Sequence, residues 1–305
     1  MKLEGIHHIT AITADAQRNV DFYAGVMGLR LVKKTVNQDN PSVYHLFFAD
    51  EKGSAGSDLT FFEFPGVERG RPGAGAVHRI VWRVGSWASL DFWQERLAAH
   101  GVDSERAGSG LRFSDPEGLD HELAVEEVDD EPLLADHPEI PSELALQGFH
   151  AVCAYSVEPD TSRRLLEALE FEFVGEGWEA RGEQRGGLYL LEGAPSEPAI
   201  QGAGSVHHVA WASQMDEHTA WRERAIAAGA QPTPVIDRFY FRSIYFREPS
   251  GVLFEIATLG PGFTVDEPLE HLGEKLSLPP DYEHLRAEVE ATLRPVTNPR
   301  TVSAE

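Results

Sequence analysis

GIHHITAI, residues 5–12, sets two adjacent histidines in an apolar run, and SVHHVAWAS, residues 205–213, repeats the arrangement far downstream. Two further segments, AVHRIVWRV from residue 76 and GFHAVCAYS from residue 148, place one histidine in the same setting. Branched and aromatic residues at this density predict four strands. Each is followed by a stretch of helical character: DAQRNVDFYAGVMGL, SLDFWQERLAAHG, TSRRLLEALEF and DEHTAWRERAIAAGA. In the first, Val20, Tyr23 and Met27 fall at helical spacing, with Phe22 and Val26 alongside. Gly28, Gly101 and Gly229 stand where such helices stop.

Strand-like runs then close every unit: YHLFFAD and LTFFEFP, LRFSDP and HELAVEE, FEFVGE and LYLLEG, FYFRSIYFREP and VLFEIAT. The chain therefore reads as α+β, with four βαβββ modules paired two by two. Stretches near 66–75, 129–146 and 194–204, rich in Gly, Pro or acidic residues, read as connections. Along the chain this divides residues 1–145 (modules one and two) from 146–262 (modules three and four). Residues 263–305 form a tail with a short helix in YEHLRAEVEATLRP.

The bulk properties narrow the function classes. A length of 305 residues suggests about two domains. A formal charge of −24 argues against nucleic acid or an anionic membrane as partner. No apolar run reaches the length of a membrane span, and MKLEGIHHIT is not a signal peptide. The single cysteine, Cys153, excludes an intrachain disulfide framework and fits a reducing cytoplasm. Only five lysines occur, and a carboxylate-rich, lysine-poor surface suits a salt-loving source as well as an ordinary acidic cytosolic protein.

The fourfold repeat resembles the vicinal oxygen chelate superfamily, which includes glyoxalases and extradiol ring-cleaving dioxygenases. The resemblance covers nearly the whole chain. It implies that pairs of βαβββ modules curl into two open barrels, one of them around a divalent metal. GIHHITAI, GLRLVKKTVNQDNPSVYHLFFAD and GVLFEIATLGPGFTVDE look most like the ring-cleaving branch that acts on hydroquinones.

Aligning the four units against one another sorts the histidines. The first position is filled in every unit (His7, His78, His150, His207), which points to packing. The next holds His8, Arg79, Ala151 and His208, so only units one and four carry a ligand there. The last strands offer Glu63, Glu122, Glu192 and Glu255 in similar apolar frames. Pairing unit one with four alone assembles two histidines and a carboxylate, namely His8, His208 and Glu255, with Glu63 as a candidate fourth ligand. Two imidazoles and one carboxylate with open positions suit Fe(II); Mn, Zn and Ni are alternatives. The leftover pair, two with three, is expected to be metal-free.

IYFREPSGVLFE, residues 244–255, matches the extradiol dioxygenase signature and sets Tyr245 ten residues ahead of Glu255. Where that signature asks for an upstream histidine the chain has Arg238, which casts doubt on catechol as substrate and favours the hydroquinone branch. Arg238 stays charged at any working pH and could hold an anionic oxygen. Pairing with a local acid such as Asp237 is its bland alternative. His7 is a candidate beside His8, as a partner of the metal site or a packing residue, with alternation pointing it to the opposite face. His45 and Tyr44 are further wall candidates, and Phe47, Phe61, Phe62, Phe239, Phe241 and Phe254 could line an aromatic cavity or fill a barrel core.

These readings describe an Fe(II)-dependent ring-cleaving dioxygenase for hydroquinone-like or other dihydroxylated aromatics. Its partners would be a small aromatic substrate and O2, and a homo-oligomer is compatible. Two alternatives stay open: a glyoxalase-like metal-dependent isomerase or lyase, and a non-catalytic small-molecule binding protein.

Overall fold

Each of the four units folds as strand, helix and three strands in the computed structural model, which describes residues 1–302. Unit one comprises β1 (Ile6–Thr13), α1 (Ala16–Val20), β2 (Arg30–Asn37), β3 (Asn40–Ala49) and β4 (Asp58–Glu63). Unit two comprises β5 (Val77–Val84), α2 (Trp87–Ala99), β6 (Ser104–Ala107), β7 (Gly110–Ser114) and β8 (Asp120–Val125). Unit three has β9 (Leu146–Ser156), α3 (Arg163–Ala168), β10 (Glu172–Val174), β11 (Gly177–Arg181) and β12 (Gly186–Gly193). Unit four has β13 (Val206–Ser213), α4 (His218–Ala227), β14 (Ile236–Asp237), β15 (Arg242–Arg247) and β16 (Leu253–Thr258).

Two eight-stranded sheets result, in the orders β14-β15-β16-β13-β1-β4-β3-β2 and β10-β11-β12-β9-β5-β8-β7-β6. Unit one thus pairs with four and unit two with three, through antiparallel contacts of β1 with β13 and of β5 with β9. The division at residue 145 is one of sequence; each sheet takes one module from either side of it. Alternation along β1 explains the layering. Ile9 and Ala11 join a core cluster shared by both sheets and the helices, whereas His8 and Thr10 face the hollow of the first sheet.

The first helix departs from its predicted form. Asp15 caps α1 by accepting from the Arg18 amide, and the chain then widens into a π turn over Asp21–Val26. The wider turn buries Phe22, Tyr23 and Ala24 in succession, one more than the adjacent pair a regular helical stripe presents. Gly28, Gly101 and Gly229 do end their helices, each with positive φ.

The acidic residue of each D/E-P turn ties the sheets together. Tyr23 of unit one donates to Asp115 of unit two at 2.9 Å, and Asp115 also accepts the amides of Glu117 and Leu119. At the equivalent turn, Glu248 of unit four accepts from Tyr189 (3.1 Å) and Ser162 (2.6 Å) of unit three. Each turn belongs to one sheet and each tyrosine to the other, so units adjacent in sequence are joined by buried hydrogen bonds.

The tail crosses the first sheet. Lys33 on β2 is fully buried; its Nζ donates to the Phe263 carbonyl (3.2 Å), Asp266 (2.7 Å) and Glu267. Within the expected C-terminal helix, Pro280–Leu285 forms a 3-10 turn that leads into α5 (Arg286–Thr292). Residues 303–305 of the tail lie outside the described residues.

Candidate metal centre

Register places the three candidate ligands on one face. His208 lies opposite Thr10, His8 opposite Ala210, and Glu255 beside Ala210 on the parallel neighbour β16. His8 Nε2 stands 3.3 Å from His208 Nε2 and 3.2 Å from Glu255 Oε2, and His208 Nε2 is 2.9 Å from the same oxygen. All three side chains are buried, Glu255 completely. Burial opposes the Glu255 charge, but His8 and His208 outweigh it and hold the carboxyl well below the usual carboxylate range. Burial lowers the His208 pKa from its ordinary value, which favours the neutral imidazole a metal requires.

The donor set fits a cation. Apart from the two imidazoles, both Glu255 oxygens are buried without a hydrogen-bond donor among the described residues, a costly state unless something positive sits between them and the ring nitrogens. Ligand atoms at right angles, each about 2.1 Å from one ion, stand about 3.0 Å apart, close to the separations found.

Each of the two histidines is oriented by the one before it. His7 Nε2 lies 3.1 Å from the Thr258 carbonyl and must donate to it, and burial holds the His7 pKa down at about 3, so the ring is neutral. His7 Nδ1 is therefore an acceptor, and His8 Nδ1, 2.9 Å away, is the donor. That tautomer leaves the His8 Nε2 lone pair facing the cluster. His207 Nδ1 and His208 Nδ1 repeat the contact at 2.8 Å. Simple alternation would have turned His7 and His207 away. Register shifts at Ile6/His8 and at Thr10/Ala11 opposite Val206, two bulges, instead bring adjacent rings together. This histidine position differs between units: His78 stacks on Tyr155 and approaches Glu192 at 3.3 Å, whereas His7 and His207 each contact the histidine that follows. His7 has both ring nitrogens engaged, one on His8 and one on the Thr258 carbonyl.

Glu63 is not part of the cluster. Register makes Thr60, beside Thr10, the counterpart of Glu255 beside Ala210, while Glu63 sits three residues on, beside Thr13. Its Oε1 accepts the Ala16 amide at the start of α1. The shared apolar frame suggested equivalence, but strand register decides it. The same holds for Glu192, since Leu190 is the residue beside Cys153.

A cavity of about 40 Å³ opens above the cluster. Tyr245 pairs directly with Glu255 across β15 and β16, and its ring lies 5.7 Å from that of His208. Burial and then the Glu255 charge raise the Tyr245 pKa, so the phenol stays protonated. The Arg238 guanidinium lies over the Tyr245 ring at 5.5 Å, with Nε 3.4 Å from the hydroxyl. Its acidic partner is Asp39, held by both Nη atoms at 3.1 and 2.9 Å, whereas Asp237 accepts the Phe239 amide. Phe47, Phe62 and Phe241 line the cavity; Phe61 and Phe254 belong to the shared core. His45 also lines it and contacts the Thr60 hydroxyl at 2.9 Å, with its pKa well below the ordinary value through burial and the neighbouring His8 and His208. Tyr44 donates instead to the Arg294 carbonyl. Sequence reading missed Asn37, Gln38 and Asp39 at the β2–β3 hairpin tip, where QDN between two strands was the available signal.

The second sheet has a guanidinium in the matching position. Arg79 bonds Glu122 (3.0 Å) and Glu192 (2.6 Å) and donates to Cys153 Sγ, while Arg112 approaches Glu122 at 2.8 Å. Ala151 and Leu190 supply only apolar surface there. Arg79 neutralises Glu122, the carboxylate at the position equivalent to Glu255.

An open eight-stranded sheet built from two βαβββ units around two histidines and a carboxylate defines the class of fold. The chain belongs to the Glyoxalase/Bleomycin resistance protein/Dioxygenase superfamily, whose family model matches residues 5–123 and 154–256. It is 42% identical over 316 residues to the "Putative ring-cleaving dioxygenase MhqA" of Bacillus subtilis, covering 97% of this chain and 100% of that protein. It is 33% identical over 313 residues to the chlorohydroquinone/hydroquinone 1,2-dioxygenase of Sphingobium indicum, covering 96% of each. A crystal structure of a "putative dioxygenase" from Bacillus subtilis superposes with a TM-score of 0.90 at 39% identity, over 97% of this chain and 98% of that one. Glyoxalase I from Zea mays shares the fold, with a TM-score of 0.57 at 16% identity over 84% of this chain and 92% of that one.

Proposed function

We propose that the protein is an Fe(II)-dependent ring-cleaving dioxygenase acting on hydroquinone-like aromatics, with His8, His208 and Glu255 as the metal ligands. The observation that carries this reading is the His8–His208–Glu255 face, orphaned of donors and open toward a cavity walled by three phenylalanines. Similarity along the whole chain to a chlorohydroquinone/hydroquinone 1,2-dioxygenase supports the substrate class. Two imidazoles and one carboxylate with room for further ligands suit ferrous iron, which would, when bound, lower the pKa of a coordinated hydroxyl and bind oxygen.

The chain's own groups supply the remainder. Phe47, Phe62 and Phe241 hold the aromatic ring and exclude water. Tyr245 carries its proton at working pH and donates it toward negative charge that develops on an oxygen near Glu255. Arg238, permanently charged, faces the same oxygen and is fixed by Asp39. His45 is neutral and in contact with Thr60, which places a proton acceptor on the opposite wall. A glyoxalase-like isomerase would draw on Glu63 as a fourth ligand, and Glu63 is committed to the start of α1.

The test is turnover of hydroquinone and methylhydroquinone under ¹⁸O2 by protein reconstituted anaerobically with Fe(II). Ring-opened product carrying both labelled atoms is expected, and none from His208→Ala. Turnover of hemithioacetals without oxygen consumption would replace this reading with the isomerase one.

A further inference from the structure

A cavity of about 590 Å³, separate from the metal centre, is lined by residues of both sheets, among them Val77 and His78 of β5 and Val206 and His207 of β13. Its walls include Arg69 and Arg71 from the connection after unit one and Arg247 from the end of β15. About one residue in six of this chain is acidic (50 of 305), yet no Asp or Glu lines the cleft. Among the described residues, none of the three guanidinium groups has a carboxylate within ion-pair distance. Among the described residues, the Arg71 guanidinium donates only to the Pro198 carbonyl and that of Arg247 only to the Gly251 carbonyl, and the Arg69 side chain makes no hydrogen bond.

The arginines are held in place by the backbone. Residues 69–74, within the stretch that read from sequence as a connection near 66–75, pair with the connection near 194–204 through bridges of Arg69 with Ala203, Arg71 with Ile200 and Ala74 with Pro198. Arg71 and Ile200 exchange both backbone hydrogen bonds at 2.8 Å. Arg69 and Arg71, two residues apart on this segment, both line the cleft. The Arg69 guanidinium lies against Gly118, at positive φ, where a Cβ would collide with it. Arg69, Arg71 and Arg247 are solvent-exposed and line one concave wall, which focuses their positive potential on the cleft.

We propose that this cleft binds a small polyanion, a molecule with two or more phosphate or carboxylate groups, through Arg69, Arg71 and Arg247. Guanidinium forks match both groups in bidentate fashion. The site is independent of the ring-cleavage reading, although His207, which contacts His208, borders the cleft.

Isothermal titration of the full chain with pyrophosphate and, separately, with citrate tests it. Saturable binding is expected for at least one probe, weakened about tenfold or more in Arg69→Gln/Arg247→Gln, in keeping with the loss of charge-assisted hydrogen bonds. Arg164→Gln, a change of exposed charge outside the cleft, should leave the affinity unchanged. Preference for pyrophosphate or citrate assigns the group. No saturable binding of either probe at about 10 mM, a concentration at which even a millimolar site would fill, overturns the proposal. Equal weakening by Arg164→Gln overturns it too, since the effect would then be one of net charge.

Discussion

At the scale of single residues, the chemistry rests on tautomers and donors fixed by neighbours. Thr258 sets His7, His7 sets His8, and the His8 Nε2 lone pair is left for a metal. Tyr245→Phe removes a proton donor while keeping the ring, so kcat should fall by about 10² or more with iron content unchanged. Steady-state kinetics beside metal analysis checks this; an unaltered kcat would place the phenol outside the reaction. His8, His208 and Glu255 were legible because only one pairing of the four units collects two imidazoles and an acid. The misplacement of Glu63 shows where that reasoning stops. Apolar frames align TFFEF with LFEIA, but hydrogen-bond register, invisible in one sequence, puts Thr60 at the ligand position. The contacts of His7 and His207 likewise depend on bulges that no residue type announces.

At the scale of elements, the D/E-P turns act as rivets between sheets, and one of them has a pH signature. Trp82 donates to His121 Nδ1, so His121 donates from Nε2 to Tyr23, which donates to Asp115. Burial lowers the His121 pKa from 6.5 to about 3. Its stabilising contribution is present above pH 6.5 and is lost as pH falls toward 3, at about 1.4 kcal/mol per pH unit. Burial raises the Asp115 pKa from 3.8 to about 6, which has the opposite sign: the folded state binds the extra proton, so stability rises as pH falls from 6 to 4. The two effects offset each other in that window. Asp115→Asn removes the second and should steepen the loss of stability between pH 6 and 4 relative to the parent. Urea unfolding at pH 7, 6, 5 and 4 reads this directly, and parallel pH profiles would refute it. The EP of residues 248–249 was readable as part of a dioxygenase signature; its structural task, receiving Tyr189 from the other sheet, was not.

At the scale of the whole molecule, four similar units have diverged into a centre with three open ligand atoms and a centre filled by Arg79. Helical spacing, glycine stops and repeated strands made the modules legible, and the ligand argument made the pairing of one with four legible. The role of the tail was not, since PGFTVDEPLE gives no hint that Lys33 awaits it. Lys33→Met would take the cation from Asp266 and Glu267, leaving Asp266 only the Tyr240 hydroxyl as a partner, a loss of about 3–5 kcal/mol. Faster proteolysis between residues 260 and 285 and a lower Tm are expected, and unchanged cleavage would contradict the docking of the tail through this lysine. The central claim, one metal site and oxygen-dependent ring opening, is met most directly by titrating the protein anaerobically with Fe(II) and then recording oxygen uptake on hydroquinone. One iron per chain and one O2 consumed per ring opened, both abolished in Glu255→Gln, is the predicted result. Two irons per chain, or iron bound at His8, His208 and Glu255 with no oxygen consumed on any dihydroxylated aromatic, would contradict it.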